Sequence, residues 1–335
     1  MKLSIALSLL ISAVSAAHES MAMPSVTSSA TSPTATSEPK TGGDIDILQY
    51  ALILEHLENK FYREGLQKFG EKEFKDFGLD SKTVHDRFLE IASHEETHVT
   101  ALNKTLTSLG ANPVPPCEYD FGMTDAKAFV STARNLETIG ASAYLGRVEE
   151  VSTNAYKTVA VSISLIEARH SSFLNTLNKL SGFGNSFETP LSARSVVTLA
   201  SPFIKSCPFE IPIKGFPALK LNRMSASAYD ELYFSKSNAT YCSFSVGLTS
   251  VWVEVKSNTT CVVPETVFGD VFVHLTSDNS TLLSKDTSVV SGPALVNIKM
   301  SEEMMKKMKK DEYLVSSGYV LKTSLFTAIM AILFM

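Results

Sequence analysis

Two short stretches of the chain repeat one pattern of metal-binding side chains. Glu95 and His98 are three residues apart, and Glu167 and His170 repeat that spacing. On an α-helix, residues i and i+3 lie on the same face, so each glutamate–histidine pair can reach one metal ion. Carboxylate oxygens and imidazole nitrogens together suit iron, manganese or zinc. The pattern therefore predicts a metal site to which two helices contribute.

The residues around both pairs predict that they face the protein interior. Each pair falls on an apolar stripe at helical spacing, formed by Phe88, Ile91, Ala92 and Leu102 in one segment and by Val159, Ile163, Ile166 and Leu174 in the other. A buried carboxylate without a partner is costly, and a cation would compensate it. The competing interpretation is a buried salt-bridge network without metal, in which Arg134, Arg147 and Arg169 supply the positive charge.

The elements that must position these side chains are long helices. Apolar residues recur with a period of 3.6 over four segments, at about 44–69, 82–109, 125–148 and 154–180. Ser81 and Thr124 are suitable N-caps, and Gly70, Gly110 and Gly182 are suitable helix ends. No proline interrupts any of the four segments. Four uninterrupted amphipathic helices predict a four-helix bundle.

In such a bundle, the first and third helices should each add one glutamate to the site. The third offers Glu137, and the first offers Glu55, with Glu58 as the alternate or as a supporting group. The predicted ligand set is Glu55, Glu95, His98, Glu137, Glu167 and His170. Four carboxylates and two imidazoles can hold two metal ions if two of the glutamates bridge them.

This set resembles the di-iron carboxylate site of ferritin-like proteins. The resemblance is carried by Leu54-Glu55-His56-Leu57-Glu58 with Phe61-Tyr62, Leu136-Glu137 with Ala143-Tyr144-Leu145-Gly146, and Glu167-Ala168-Arg169-His170. These stretches are similar to the plant desiccation-related proteins, and more so to fungal secreted stress and late sexual-development proteins. The resemblance covers about 44–205 and implies a ferritin-like bundle with two metal ions, iron before manganese or zinc. It implies no settled reaction.

The second half of the chain has the composition of short β-strands. After prolines 208, 212 and 217, β-rich runs occur at 241–246, 250–255, 271–275 and 295–299. The expected fold is mainly α, a ferritin-like four-helix bundle over 44–207 followed by a small, antiparallel, β-sandwich-like region over 208–300. A Met/Lys/Glu-rich stalk follows at 301–318.

Both ends of the chain carry targeting patterns. Lys2, an apolar run and small residues at 14–16 predict a signal peptide over 1–17, and a Ser/Thr/Pro-rich linker follows over 18–43. The apolar run is shorter than the roughly 20 residues of a membrane span, which disfavours an uncleaved anchor. The hydrophobic tail 319–335 predicts a GPI signal with attachment at Ser316 or Ser317. A tail anchor and a buried terminal helix are the alternatives.

The cysteines and sequons agree with an oxidising compartment. The pairings Cys117–Cys207 and Cys242–Cys261 are favoured because each then lies within one proposed domain. Candidate N-glycosylation sites are Asn103, Asn238, Asn258 and Asn279. The sequence therefore predicts a secreted glycoprotein, held at the cell surface or wall through a GPI or tail anchor.

Composition and the remaining histidines narrow the function further. The net charge of −5 without a long basic run makes nucleic acid an unexpected partner. His94 lies off the inward stripe, where a surface or supporting role is expected, and His18, His56, His85 and His274 are isolated.

The first hypothesis is a metal-binding surface protein that uses O₂ or peroxide, which leaves open whether it is an enzyme. The second is a non-enzymatic stress module with a vestigial site, and an iron-storage cage ranks last. The oligomeric state does not follow from the sequence.

Overall fold

The structure is a computed structural model that describes residues 43–280 and 286–310. The predicted signal peptide, the linker up to residue 42, the end of the stalk with Ser316 and Ser317, and the hydrophobic tail lie outside the described residues. Among the residues that are described, no helix is both long enough and apolar enough to cross a bilayer.

Four long helices form the first part of the described chain. They are α1 (Asp44–Lys68), α2 (Ser81–Ser108), α3 (Ala126–Arg147) and α4 (Asn154–Leu177). Each end lies within three residues of its predicted position. Helix α1 packs on α2 and α3 packs on α4. The predicted helical bundle is therefore confirmed.

The N-caps of α2 and α3 differ from the predicted residues. The carboxylate of Asp80 accepts a hydrogen bond from the backbone N–H of Thr83, and Asp125 accepts one from Ala128. The predicted N-caps, Ser81 and Thr124, are wrong by one residue. In each case the adjacent aspartate has the extended backbone that an N-cap requires. The charged oxygen also interacts favourably with the positive end of the helix dipole.

The second part of the chain is rich in β-structure. Its strands are β3 (Ser225–Ser227), β4 (Glu231–Tyr233), β5 (Tyr241–Val246), β6 (Thr249–Glu254), β7 (Thr260–Val262), β8 (Gly269–Thr276) and β9 (Val289–Lys299). A five-stranded sheet has the order β3-β9-β8-β5-β6, and β4 pairs with β7 in a separate small sheet. Leu232 of β4 and Cys261 of β7 share a core with Val271 and Val273 of β8, which gives a sandwich-like arrangement. The pair β3–β9 is parallel, which departs from the expected antiparallel sheet.

The other face of the large sheet packs against the helices. Phe272 of β8 and Leu295 of β9 belong to the same hydrophobic core as the aromatic residues of the bundle. A short helix, α5 (Ala193–Ala200), lies at this junction, and Ser195 is 3.2 Å from His274 Nε2. Within the predicted stalk, residues Glu302–Lys310 form helix α6. The two parts of the chain thus share buried surface.

Both favoured disulfide pairings are present. Cys117 is bonded to Cys207 and Cys242 to Cys261, which accounts for all four cysteines. Cys117 lies in the long α2–α3 connection, where β1 (Glu118–Tyr119) pairs with β2 (Ile204–Ser206). The first bond therefore ties that connection to the segment that leads into the β-region.

Candidate metal centre

The structure brings all six predicted ligands together in the middle of the bundle. Glu55 lies on α1, Glu95 and His98 on α2, Glu137 on α3, and Glu167 and His170 on α4. The four glutamates are completely buried, and the two histidines are at most 8% exposed. Each side chain occupies the inward stripe of its helix, as the helical period predicts.

One group of ligands gathers around His98. The Nδ1 atom of this histidine is 3.2 Å from Glu55 Oε2, 3.2 Å from Glu95 Oε2 and 3.4 Å from Glu167 Oε1. A single ring nitrogen carries at most one hydrogen, so it cannot satisfy three carboxylates by hydrogen bonding. A cation at this point could be bound by all four side chains at once.

The second group gathers around His170. Its Nδ1 atom is 3.0 Å from Glu137 Oε2 and 3.4 Å from Glu95 Oε1, and Glu167 completes the set. Within each group, the candidate ligand atoms all lie within 4.8 Å of one another. Glu95 and Glu167 belong to both groups, which is the arrangement that two bridging carboxylates would have.

No arginine in the part of the chain that the structure describes neutralises this cluster. Arg134 pairs with Asp270 of the sheet, Arg147 pairs with Glu150, and Arg169 is exposed. Among the described residues, no lysine or arginine nitrogen lies within 4.0 Å of the four buried glutamates. The salt-bridge interpretation therefore lacks the cations it requires in this part of the chain.

The electrostatics of the cluster show the same deficit of positive charge. Burial raises the pKa of Glu95 and of Glu137 well above the usual value, and neighbouring carboxylates raise both further. Burial opposes protonation of His98, but the surrounding carboxylates outweigh it and raise its pKa. Burial lowers the pKa of His170 to about 4, which keeps that ring neutral and able to donate a lone pair.

Several carboxylate oxygens in the cluster have no hydrogen-bond partner among the described residues. They are Glu55 Oε2, Glu95 Oε1 and both oxygens of Glu167. A buried carboxyl oxygen without a partner costs at least about 1–3 kcal/mol, so four of them in one buried site need another partner. A bound metal ion fits these residues, because the unpaired oxygens are those that surround the two histidine nitrogens.

Comparison with known proteins agrees with this geometry. Residues 43–180 match the family model described as the ferritin-like domain. This segment is therefore similar to ferritin-like domains. The chain is also similar to Protein rds1 of Schizosaccharomyces pombe, with 28% identity over 190 aligned residues. The aligned region covers 56% of this chain and 46% of that protein. The predicted resemblance to fungal ferritin-like proteins is thereby confirmed, over slightly less than half of the relative's length.

Two tyrosines support the carboxylate cluster, a role that was not predicted from the sequence. Tyr62 of α1 donates a hydrogen bond to Glu137 Oε1 of α3, and Tyr144 of α3 donates one to Glu55 Oε1 of α1. Each tyrosine lies seven residues after the glutamate of its own helix, in the spacing Glu55–Tyr62 and Glu137–Tyr144. That repeat was the available signal, since seven residues are two helical turns.

Glu58 breaks the symmetry between the two halves of the domain. It lies three residues after Glu55, and the equivalent position after Glu137 is Gly140. A Cβ atom on Gly140 would lie 2.9 Å from Glu167 Oε2 and 3.1 Å from Glu58 Oε1. Gly140 thus leaves room for a fifth buried carboxylate, which sits beside the two ligand groups without belonging to either.

His94 contacts the site from the exposed side of α2. Its Nδ1 is 2.9 Å from Nε2 of His170, and the two rings stack with centroids 5.2 Å apart. Because His170 Nδ1 faces the carboxylates, His94 holds the opposite nitrogen of the ligand. The other described histidines lie elsewhere: His56 contacts the Val114 carbonyl, His85 the Phe74 ring, and His274 is buried beside Ser195.

Proposed function

We propose that this is a secreted metalloprotein whose ferritin-like domain binds two metal ions, with iron as the first choice over manganese or zinc. The ligands would be Glu55, Glu95, His98, Glu137, Glu167 and His170. The observation that carries the proposal is that Glu95 and Glu167 belong to both ligand groups at once. A pair of iron ions would supply redox chemistry with O₂ or peroxide as the oxidant.

The protein's own residues provide charge balance and rigidity. Four carboxylates match the charge of two divalent cations, and the two histidines add neutral nitrogen ligands. Tyr62 and Tyr144 each fix the outer oxygen of one terminal glutamate, so that the other oxygen can face the metal. Burial of all four glutamates excludes bulk water from the site.

We also propose that the protein is located at the cell surface and that the chemistry of the site takes place there. The predicted signal peptide and GPI signal support this location, and two disulfides are typical of an oxidising compartment. Asn238, Asn258 and Asn279 are exposed and accessible to glycosylation. Asn103 is half-buried and its amide donates to the Val99 carbonyl, so we expect less modification there.

Metal analysis of a double variant tests the proposal. In E95Q/E167Q, both shared carboxylates become neutral amides of nearly the same volume, so the protein should fold but lose its bound metal. The measurement is elemental analysis of protein purified from a secretory host, alongside thermal unfolding. The control is E90Q/E96Q, which makes the same two chemical changes at exposed glutamates of α2. Unchanged metal content in E95Q/E167Q would show that the ligand assignment is wrong.

A second candidate is a non-enzymatic, glycosylated surface module with a vestigial site. It is favoured by the two disulfides and by the shared core of bundle and sheet, which together describe a rigid scaffold. Oxygen and peroxide consumption by the metal-loaded protein separates the two candidates. Consumption that E95Q/E167Q abolishes supports the enzyme, and a folded protein that consumes neither oxidant supports the module.

A further inference from the structure

A small cavity lies in the bundle core beside the carboxylate cluster. Each long helix lines the cavity with a residue that lies four positions, about one helical turn, away from a residue at the cluster. These pairs of lining residue and cluster residue are Ala51 and Glu55, Leu102 and His98, Tyr144 and Gly140, and Ile163 and Glu167. The cavity is therefore adjacent to the candidate metal centre along the bundle axis, on the side of the α1 and α4 N-termini.

The atoms that face this cavity are almost all apolar, although the polar side chains of Asp44, Tyr50, Tyr144, Arg147 and Tyr156 belong to its wall. Its volume is about 30 Å³, which is enough for a molecule of a few atoms. Water in an apolar cavity lacks the two to four polar partners it requires. The space thus suits an uncharged apolar molecule better than it suits water.

The opposite side of the cluster is closed by packed aromatic rings. Tyr62, Phe88 and Phe129 are fully buried there, with ring centroids 6.2 Å apart for Tyr62–Phe88 and 4.9 Å apart for Phe88–Phe129. The cavity is consequently the side of the cluster on which the core leaves space. Tyr144 lies between the cavity and the cluster, because its side chain lines the cavity and its hydroxyl donates a hydrogen bond to Glu55.

We infer that this cavity binds a small, uncharged, apolar molecule and delivers it to the cluster past Tyr144. If the proposed metal centre is correct, on which this use of the cavity rests, the molecule would be dioxygen and not hydrogen peroxide. Peroxide would have to give up its hydrogen bonds to water on entering an apolar wall, whereas dioxygen has none to lose. The cavity would then select the oxidant.

Xenon is the probe for the binding site itself, because it is apolar, uncharged and independent of any metal. We expect one xenon atom in the cavity of the full-length secreted protein under xenon pressure, detected by its anomalous scattering in crystals. The A160L substitution adds bulk to half-buried Ala160 in the cavity wall and should abolish the signal. S162L adds the same side chain to an exposed position of α4 and should leave the signal unchanged.

A second variant guards against misfolding of the first. In A51V, a smaller addition on the α1 wall should also remove xenon, and thermal unfolding of each variant checks the fold. Absence of xenon from the unsubstituted protein, or its retention in both A160L and A51V, would overturn the inference. Neither result depends on metal, so a failure of metal binding overturns only the proposed function.

The selection of oxidant is tested on the iron-loaded protein. A160L should slow the oxidation of bound Fe(II) by dioxygen relative to S162L, with the rate in peroxide unchanged. Equal slowing with both oxidants would show that the cavity does not discriminate between them and would overturn that part of the inference.

Discussion

Among the individual residues, Tyr62 and Tyr144 should determine how tightly the candidate site binds metal, because each donates a hydrogen bond to one glutamate of the site. Removing the hydroxyl in Y62F or Y144F frees one terminal glutamate to rotate away from the metal. Loss of such a supporting contact lowers metal affinity by roughly 10- to 100-fold. Competition titration with Co²⁺, followed by its visible absorption, measures the affinity of each variant.

Y50F is the matched control for this experiment. Tyr50 is also a buried tyrosine of α1, but its hydroxyl has no hydrogen-bond partner within the described residues. Its substitution should leave Co²⁺ affinity unchanged. An equal loss of affinity in Y50F and Y62F would mean that the effect comes from packing and not from support of the ligand.

The convergence of the candidate ligands could be predicted from the sequence, and the contacts that support them could not. Glu95–His98 and Glu167–His170 are visible because each pair lies within one helix, where spacing determines the face. The bonds Tyr62–Glu137 and Tyr144–Glu55 join different helices, so they depend on how the helices pack. The same holds for His94, which contacts His170 across the α2–α4 interface.

At the scale of the element, a buried polar network joins the bundle to the sheet. Arg134 of α3 pairs with Asp270 of β8, and Asn175 of α4 and Asn297 of β9 donate hydrogen bonds to the same carboxylate at 3.1 and 3.0 Å. Arg134 and Asp270 are largely buried, with side chains 8% and 15% exposed. The network therefore fixes the position of α3 and α4, which carry candidate ligands, against the sheet.

We expect D270L to lower the free energy of unfolding by about 3–5 kcal/mol, because it leaves the Arg134 guanidinium buried without its partner. The double variant R134L/D270L removes both charges and should be markedly more stable than D270L. Urea unfolding followed by circular dichroism gives the four free energies, those of the unsubstituted protein, D270L, R134L and the double variant. If the double variant is as unstable as the sum of the two single variants, the pair does not act as a unit.

The helices were predictable at this scale and the short strands were not. Helix α2 spans 28 residues with repeated apolar positions, so its period stands out over several turns. Strands β3, β4 and β7 have three residues each, too few to show an alternating pattern. The parallel pairing of β3 with β9 joins segments about 70 residues apart, and no local feature of the chain encodes it.

At the scale of the whole molecule, the two disulfides constrain very different lengths of chain. Cys117 and Cys207 are separated by 90 residues that contain helices α3, α4 and α5, whereas Cys242 and Cys261 are separated by 19. In the chain-entropy model, closing the longer loop stabilises the fold by about 4–5 kcal/mol and closing the shorter one by about 3 kcal/mol. The long bond should therefore contribute more to global stability.

The double variants C117A/C207A and C242A/C261A compare these contributions directly. We expect the first to lose more unfolding free energy, and also to lose metal affinity, because its loop carries Glu137, Glu167 and His170. The second replaces two fully buried cysteines of the β-region core and should leave metal binding intact. Guanidinium unfolding and Co²⁺ titration of both variants measure the two effects. A larger loss of stability or of metal affinity in C242A/C261A would show that the β-region, and not the Cys117–Cys207 bond to the α2–α3 connection, holds the helices with the candidate ligands in place.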